Sequence, residues 1–369
     1  MKVFLAGTSL LPAYGGPAFS VSRLAIALAE AGSEVGLWAP DQSAAVTPLL
    51  SAHSTVRRLT GTEAEALDSF GKVDVLHDNG IWLPHNHRLA VLSERRGIPR
   101  IVSMRGMLEP WARSHKRLKK RFAWWLYQRQ DLKHAHCHHT TAETEARNVQ
   151  HLRLGVPVVA VPNGVDVPEE RPWVVGLETQ KAARCGRRTA LFLGRIYPIK
   201  GLPMLVQAWA RVRPDGWILR IAGPDEADHR KQVEKEVSAA GLAEMIFFTG
   251  PIGHRMKKSA FFDADLFVLP SHSESFGIAV AEALVHGLPV LTTKGTPWSI
   301  LPESGCGWWV DATVDGIAQG LRQATILDSD TLQAMGAKGR ALAIAEFGWK
   351  RVATLMLSTY ESILANAMA

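Results

Sequence analysis

Two glutamates stand eight positions apart in the run Glu274-Ser275-Phe276-Gly277-Ile278-Ala279-Val280-Ala281-Glu282. The run follows an apolar strand-like stretch, Ala264-Asp265-Leu266-Phe267-Val268-Leu269, and a polar loop, Pro270-Ser271-His272-Ser273. It opens into a helical pattern from Ala279 to His286, which Gly287 and Pro289 stop. This order places Glu274 on a loop at a strand's C-terminal end and Glu282 about one turn inside the next helix. Between them lie the unpaired N–H groups of that helix's first turn, where aligned peptide dipoles favour an anion. A carboxylate is an acceptor only, and it can take bonds from two neighbouring hydroxyls. Two carboxylates beside an anion site suit a ligand with both phosphates and hydroxyls, such as a nucleotide sugar.

Embedded in P-S-x-x-E-S-F-G-x-x-x-x-E-A-L-x-x-G-x-P-V, the segment resembles the donor-binding E-x7-E signature of retaining glycosyltransferases of family 4. Those enzymes have the two-domain GT-B fold. The resemblance assigns Glu282 to the nucleotide ribose and Glu274 to hydroxyls of the donor sugar. The backbone around Ser275, Phe276, Gly277, Ile278 and Ala279 would then face sugar and phosphate.

A second motif, Gly194-Arg195-Ile196-Tyr197-Pro198-Ile199-Lys200-Gly201, follows an earlier strand-like run. Arginine binds phosphate oxygens in a fork, and lysine supplies a mobile point charge, so the pair reads as a diphosphate clamp. Taken alone, the motif fits two solvated surface cations better. It also matches the family's G-R-x-x-x-x-K-G position for position. By that resemblance Arg195 and Lys200 hold the pyrophosphate and stabilise charge on the departing nucleotide. Gly223-Pro224-Asp225 would form part of the nucleotide pocket wall, although a Gly-Pro loop also makes an ordinary turn. Near the N-terminus, Gly15 and Gly16 in Pro12-Ala13-Tyr14-Gly15-Gly16-Pro17 let backbone N–H groups approach an anion. The loop is not a G-x-G-x-x-G fingerprint and no Walker lysine follows, which counts against a dinucleotide or ATP enzyme. In the family this loop faces the donor phosphates.

On the acceptor side, His77-Asp78 and Arg105-Gly106 end strand-like runs, where open α/β sheets bind ligands. Many relatives carry a His-Gly pair at the second place. Here Arg105 stands instead, and an arginine stays protonated, so it is expected to meet phosphate charge or an anionic acceptor. His77, Asp78 and Glu109 are the candidates for binding the acceptor hydroxyl. His136, His138 and His139 flank Cys137 on a strand-like run and read as core or surface histidines rather than metal ligands. The resemblance implies no metal and no cofactor beyond the nucleotide-sugar substrate. Trp298, Trp308 and Trp309 are either sugar- or lipid-facing aromatics or, for at least two of them, core.

The elements that must position these groups alternate strand and helix throughout, the pattern of open parallel sheets. Strand candidates in the first half are Val3–Ala6, Val35–Ala39, Val73–His77, Ile101–Met104 and Val158–Val161. In the second half they are Thr189–Leu193, Ile218–Ala222, Ile246–Thr249, Leu266–Leu269 and Val290–Thr292. A length of 369 residues suits two cores. The expected division is an acceptor-binding Rossmann-like domain over 1–167, a linker over 168–188, and a nucleotide-sugar-binding domain over 189–349. A final helix over 350–369 would cross back to the first domain, as chain ends do in this fold.

With 47% hydrophobic and 21% charged residues, the chain reads as folded rather than disordered. Three cysteines without metal spacing fit free thiols in a reducing compartment. The N-terminus enters a strand at once, and no run approaches a membrane span, so a cytoplasmic location is expected. The formal charge of +7 is concentrated in Arg113–Tyr127, where bases precede aromatics on one helix. Two readings of it stand level: an anionic membrane surface as partner, or a solvated basic face with Trp and Tyr packed inward. Nucleic acid is not expected, since no binding module accompanies the charge.

Together these features and the resemblance lead to the expectation of a metal-independent retaining transferase. It would move a sugar from a nucleotide diphosphate to an acceptor hydroxyl, a lipid-linked saccharide in bacterial surface polysaccharide assembly (O-antigen or exopolysaccharide). The rivals are another GT-B enzyme, a sugar phosphorylase or sugar-nucleotide epimerase, and a non-catalytic membrane-docked binding protein.

Overall fold

The structure is a computed structural model that describes residues 1–51, 53–109, 111–112, 117–168 and 186–368. Most of the expected linker, 169–185, and the first residues of the basic segment, 113–116, lie outside the described residues, as does Cys185. Two compact units result, Met1–Gly164 with Phe347–Ala369, and Val165–Glu346.

The first unit is built on a parallel sheet of β1 (Lys2–Ala6), β2 (Glu34–Trp38), β3 (Val56–Arg58), β4 (Val75–Asn79), β5 (Arg100–Ser103), β6 (Cys137–Thr140) and β7 (Val158–Ala160). Their order is β3-β2-β1-β4-β5-β6-β7. In β1, Val3 and Leu5 point into one core while Phe4 and Ala6 point into another. That period of two explains why a strand buried on both faces reads as an unbroken apolar run. On the first face, the helix Gly16–Glu30 contributes Val21, Leu24, Ala25 and Leu28. Beside it the C-terminal helix Trp349–Met368 contributes Val352, Met356, Tyr360 and Ile363, a stripe at helical spacing.

That C-terminal helix is also joined to the sheet by a buried chain of hydrogen bonds. Tyr360 Oη lies 2.6 Å from His77 Nδ1, and His77 Nε2 lies 2.6 Å from Ser103 Oγ. Ser103 Oγ lies 2.6 Å from His139 Nδ1, and His139 Nε2 lies 2.9 Å from the Val161 carbonyl. Burial holds both histidines neutral, with His139 lowered to about 3 and His77 well below its ordinary value. The tautomers then follow from the partners. A carbonyl only accepts, so His139 Nε2 donates and its Nδ1 accepts the Ser103 proton. Ser103 has no second proton, so it accepts from His77 Nε2, and His77 Nδ1 accepts from Tyr360. Every proton points one way along the chain.

The second unit carries a parallel sheet of β8 (Arg188–Leu193), β9 (Trp217–Ala222), β10 (Ile246–Gly250), β11 (Leu266–Leu269), β12 (Val290–Thr293) and β13 (Gly307–Val310). Their order is β10-β9-β8-β11-β12-β13. The chain runs outward from β8 to β10 and then returns to add β11 on the other side of β8. That reversal opens a crevice at the C-terminal ends of β8 and β11, where doubly wound sheets bind ligands. In the first unit the same reversal falls between β1 and β4.

The strand pattern of the sequence missed β3 and β13, which both lie at sheet edges. Val56-Arg57-Arg58 has two exposed arginines, and Gly307-Trp308-Trp309-Val310 begins on a glycine. Short edge strands with such residues carry little alternation to read. Among the described residues no helix is long and apolar enough to cross a membrane.

Candidate active site

In the second unit, four loops meet at the carboxyl ends of β8, β9, β11 and β12. The loop after β8 pairs with the one after β9: Ile196 N–H donates to Pro224 O at 2.8 Å, and Glu226 N–H donates to Ile196 O at 3.1 Å. The two backbones approach so closely at Gly223 (φ 145°) that a Cβ there would stand 1.9 Å from the Gly194 carbonyl oxygen. Gly201 (φ 68°) is equally constrained, since a Cβ would lie 2.1 Å from Pro270 O. These two glycines are therefore steric and conformational requirements of the rim. The loop after β11 is joined to its neighbours by His272 N–H to Ile199 O at 2.8 Å and Glu274 N–H to Gly295 O at 2.9 Å.

On this rim, across the β8/β11 crevice, Lys200 Nζ lies 2.6 Å from Glu274 Oε1, which also accepts the Ser271 hydroxyl at 2.6 Å. The two motifs found separately in the sequence thus meet at one atom. Glu282 has a partner that the sequence did not reveal. Lys257 Nζ, from the helix His254–Phe262, lies 2.5 Å from Glu282 Oε1. Glu282 Oε2 is buried and has no hydrogen-bond partner. A buried carboxylate oxygen left open costs on the order of 1–3 kcal/mol or more, which a ligand hydroxyl would relieve. Only Lys257's place in a Lys-Lys pair hinted at it, and no spacing rule links residues on two different helices.

Between the glutamates, the helix Ile278–Val285 starts at Gly277, which adopts the left-handed conformation (φ 76°, ψ 60°). Its first-turn N–H groups, those of Ile278 and Ala279, have no intrahelical acceptor. Phe276, just before the cap, is held from behind by Trp298, whose indole N–H donates to Phe276 O at 2.6 Å. Trp298 is buried, with its ring 5.4 Å from that of Phe276, so it is a core support of the loop. Trp309 plays a similar part, donating to Thr296 O at 2.9 Å. Arg195 is turned outward, 56% exposed, with Nη1 2.5 Å from Glu226 Oε2. The structure therefore joins Lys200 to Glu274 but shows no contact between Arg195 and either.

The second unit also has two Asp-x-Asp spacings, Asp263/Asp265 and Asp328/Asp330, each with a structural use. Asp265 accepts the Thr189 N–H at 2.8 Å, and Asp328 accepts the Thr331 N–H at 2.7 Å.

In the first unit, Gly15 (φ 82°) caps the helix that Gly16 begins, at the carboxyl end of β1. Arg105 and Gly106 form a turn after β5 in which Arg105 is left-handed (φ 50°), an uncommon state for a side-chain-bearing residue. Its guanidinium donates from Nε and Nη2 to Asn79 Oδ1 at 3.2 and 2.6 Å. From Nη1 it donates to Ser20 Oγ at 3.0 Å and to Asn163 Oδ1 at 2.7 Å. These bonds use four of five N–H donors, leaving one on Nη2 for a ligand. Burial lowers Arg105 to about 10, which keeps it charged at neutral pH. Nothing in the spacing of Ser20, Asn79 and Asn163 marks them as its partners.

The other acceptor-side candidates are spread through the unit. His77 is fully buried with both ring nitrogens bonded, so its ring serves the internal chain. Asp78 is buried, accepts from Asn86 Nδ2 at 2.8 Å, and is pushed up to about 7 by burial despite Arg100 nearby. Glu109 accepts from Asn148 Nδ2 at 2.8 Å, and burial raises its carboxyl above the ordinary range. His138 and His139 are buried on β6 and bond to backbone carbonyls, of Leu132 and Val161.

The sequence is 31% identical over 229 residues to phosphatidyl-myo-inositol mannosyltransferase of Mycobacterium leprae (strain TN), covering 60% of this chain and 58% of that one. It is likewise 31% identical over 210 residues to D-inositol 3-phosphate glycosyltransferase of Arthrobacter sp. (strain FB24), covering 54% of this chain and 49% of that one. The chain thus spans about half the length of these curated relatives. Among solved structures, sucrose-phosphate synthase from Thermosynechococcus elongatus superposes with a TM-score of 0.81 at 20% identity, over 99% of this chain and 100% of that one. The Anabaena protein HepE, in complex with UDP and glucose, superposes with a TM-score of 0.77 at 19% identity, over 98% and 100%. At that identity the likeness speaks for the fold. Two family models divide the chain much as the two compact units do: residues 15–164 match the glycosyl transferase 4-like domain, and residues 178–342 match glycosyl transferases group 1. Spanning both sheets, those matches make this chain a member of the group 1, family-4-like glycosyltransferases with the GT-B fold.

Proposed function

We propose that this protein transfers a sugar from a nucleotide diphosphate donor to an acceptor hydroxyl, keeping the anomeric configuration and using no metal. The observation that carries the proposal is the β8/β11 crevice. There Lys200 and Glu274 meet beside an open helix N-terminus, and Glu282 keeps one buried oxygen without a partner. In this scheme Glu282 Oε2 accepts a ribose hydroxyl while Lys257 holds Oε1 and balances the carboxylate charge. Glu274 orients the donor sugar. Lys200 and the first-turn N–H groups of Ile278 and Ala279 receive phosphate oxygens. Arg195 exchanges Glu226 for the pyrophosphate, and the two cations stabilise negative charge as the nucleotide leaves. The leaving phosphate takes the acceptor proton as the new bond forms on the same face. The UDP and glucose of the Anabaena structure support a nucleotide-sugar donor.

For the acceptor we favour a hydroxyl on a lipid-anchored or phosphate-bearing carrier. The mannosyltransferase relative is named for phosphatidyl-myo-inositol and the Arthrobacter relative for inositol 3-phosphate. These names favour an anionic polyol, and assembly of a surface polysaccharide is a narrower placement within that class. Arg105, with one free N–H, and Glu109 are the groups we assign to it, at the inner face of the cell membrane.

A calorimetric screen against UDP, GDP, ADP, CMP and their sugar conjugates, with and without EDTA, tests the donor assignment. The expected result is binding of one diphosphate that EDTA leaves unchanged and Glu282→Ala weakens. Binding of none of them would overturn the assignment of this crevice.

A further inference from the structure

The helix Arg117–Ala123 continues through a wide π turn, Trp124–Gln128, into the helix Arg129–Lys133. One side of this run is fastened to the first unit. The Trp124 ring lies 6.1 Å from that of Trp82, Tyr127 Oη donates to Trp82 O at 2.5 Å, and Gln128 Oε1 accepts the Trp82 N–H at 2.6 Å. The other side holds Leu118, Phe122, Trp125 and Leu126, which are 81%, 71%, 74% and 66% exposed. At about 100° per residue these four fall on one stripe, and Arg117 and Arg121 flank it on one edge with Lys119 on the other. All three bases are exposed. The aromatics of the segment are therefore divided: Trp124 and Tyr127 pack inward, and Phe122 and Trp125 face out.

We infer that this stripe is a membrane-docking face whose partner is an anionic lipid bilayer. Four large apolar side chains in one exposed patch have no use in water, and such patches mark interaction sites. An interfacial helix has this layout, an apolar stripe that sinks about 5–10 Å into the headgroup boundary with bases at headgroup level. Charge selects the occupant. A second copy of this chain, packed stripe to stripe, would bring Arg117, Lys119 and Arg121 against their own counterparts. A nucleic acid would meet the bases but leave Leu118 and Leu126 unmatched. An anionic bilayer satisfies both. The proposal goes beyond the transferase function and does not rest on it.

Flotation with vesicles of phosphatidylcholine alone, or with one third phosphatidylglycerol, tests it without nucleotide sugar, so its failure is separable from failure of the donor site. Wild-type protein is expected to float with the anionic vesicles and to be released by salt. Arg117→Gln, Lys119→Gln and Arg121→Gln together are expected to weaken binding roughly a hundredfold, at about fivefold for each base near the surface. Leu118→Ser with Leu126→Ser is expected to weaken it at least tenfold while leaving the thermal unfolding midpoint unchanged. Lipids brominated near the headgroup should quench part of the wild-type tryptophan emission, and Trp125→Phe, which keeps the stripe apolar, should abolish that part. No flotation of wild type, or variants that float as well as wild type, would overturn the proposal. A wild-type dimer that the Leu118 and Leu126 changes convert to monomer, without any vesicle effect, would give the face to a second copy instead.

Discussion

The one-way hydrogen-bond chain of the first unit makes a quantitative demand on two conservative substitutions. Tyr360→Phe keeps the ring in its packing and removes only the hydroxyl, leaving His77 Nδ1 as one buried acceptor without a donor. A tautomer switch cannot rescue it, because Ser103 has one proton and His139 already needs it. Ser103→Ala removes the middle of the chain and leaves two groups unpaired, the His77 Nε2 side and His139 Nδ1. Each such orphan costs about 1–3 kcal/mol. Tyr360→Phe should therefore destabilise the first unit by about 1–3 kcal/mol, and Ser103→Ala by roughly twice as much, although it deletes a single oxygen atom. For a unit of this size each kcal/mol moves the midpoint by about 2–4 °C. Differential scanning calorimetry of both variants, following the transition that contains the first unit, reads the comparison directly. A Ser103→Ala midpoint equal to or above that of Tyr360→Phe would refute the one-way chain.

Within the second unit, Lys257→Met should strand Glu282 in a half-buried setting. With the two side chains 30% and 14% exposed, about 1–2 kcal/mol is a fair discount from the cost of breaking a fully buried pair. A double-mutant cycle with Glu282→Gln should recover a coupling of that order, and a coupling near zero would remove the pair from the site. Glu282→Ala should raise the nucleotide Kd by about 10- to 100-fold, the worth of hydrogen bonds to a charged acceptor. Arg195→Ala should instead lower kcat on the order of 10²-fold at saturating donor, the scale of one electrostatic stabiliser, with wild-type turnover counting against its role. His286, which burial lowers to about 4, supplies a pH test. A histidine kept neutral by folding contributes stability that is present above its unfolded value near 6.5 and is lost as pH falls below it. Relative to His286→Phe, wild type should lose about 2 kcal/mol between pH 7 and pH 5. A difference that stays constant over that range would show that His286 titrates normally.

Much of the site was legible in the chain because its pieces are local. Glu274, Gly277 and Glu282 are set by one strand end and one helix start, and Arg195 to Gly201 by another strand end, so periodicity and turn chemistry suffice to place each. The same holds for most strands, whose apolar runs are bounded by turn residues. Edge strands β3 and β13 escaped because they are short, with Arg57 and Arg58 in one and Gly307 opening the other, so neither shows an apolar alternation. On the acceptor side the spacing placed Arg105 just past the end of β5, but His77, expected at a strand end, lies in the middle of β4, and neither residue's partners could be read from the chain.

The residues by themselves determined the fold class and the presence of two parallel sheets, and they marked two carboxylates and two cations as candidates for one site. Tertiary structure alone decided that Lys200 meets Glu274 across 74 positions, that Lys257 holds Glu282, and that Arg195 turns to Glu226. It alone decided that Tyr360 completes a proton-ordered chain to His77 across 283 positions, and that Trp125 faces out while its neighbour Trp124 faces in. The division has a physical cause. Helix and strand repeats fix side-chain direction over a few residues, whereas the partner of a side chain depends on the order in which strands pair.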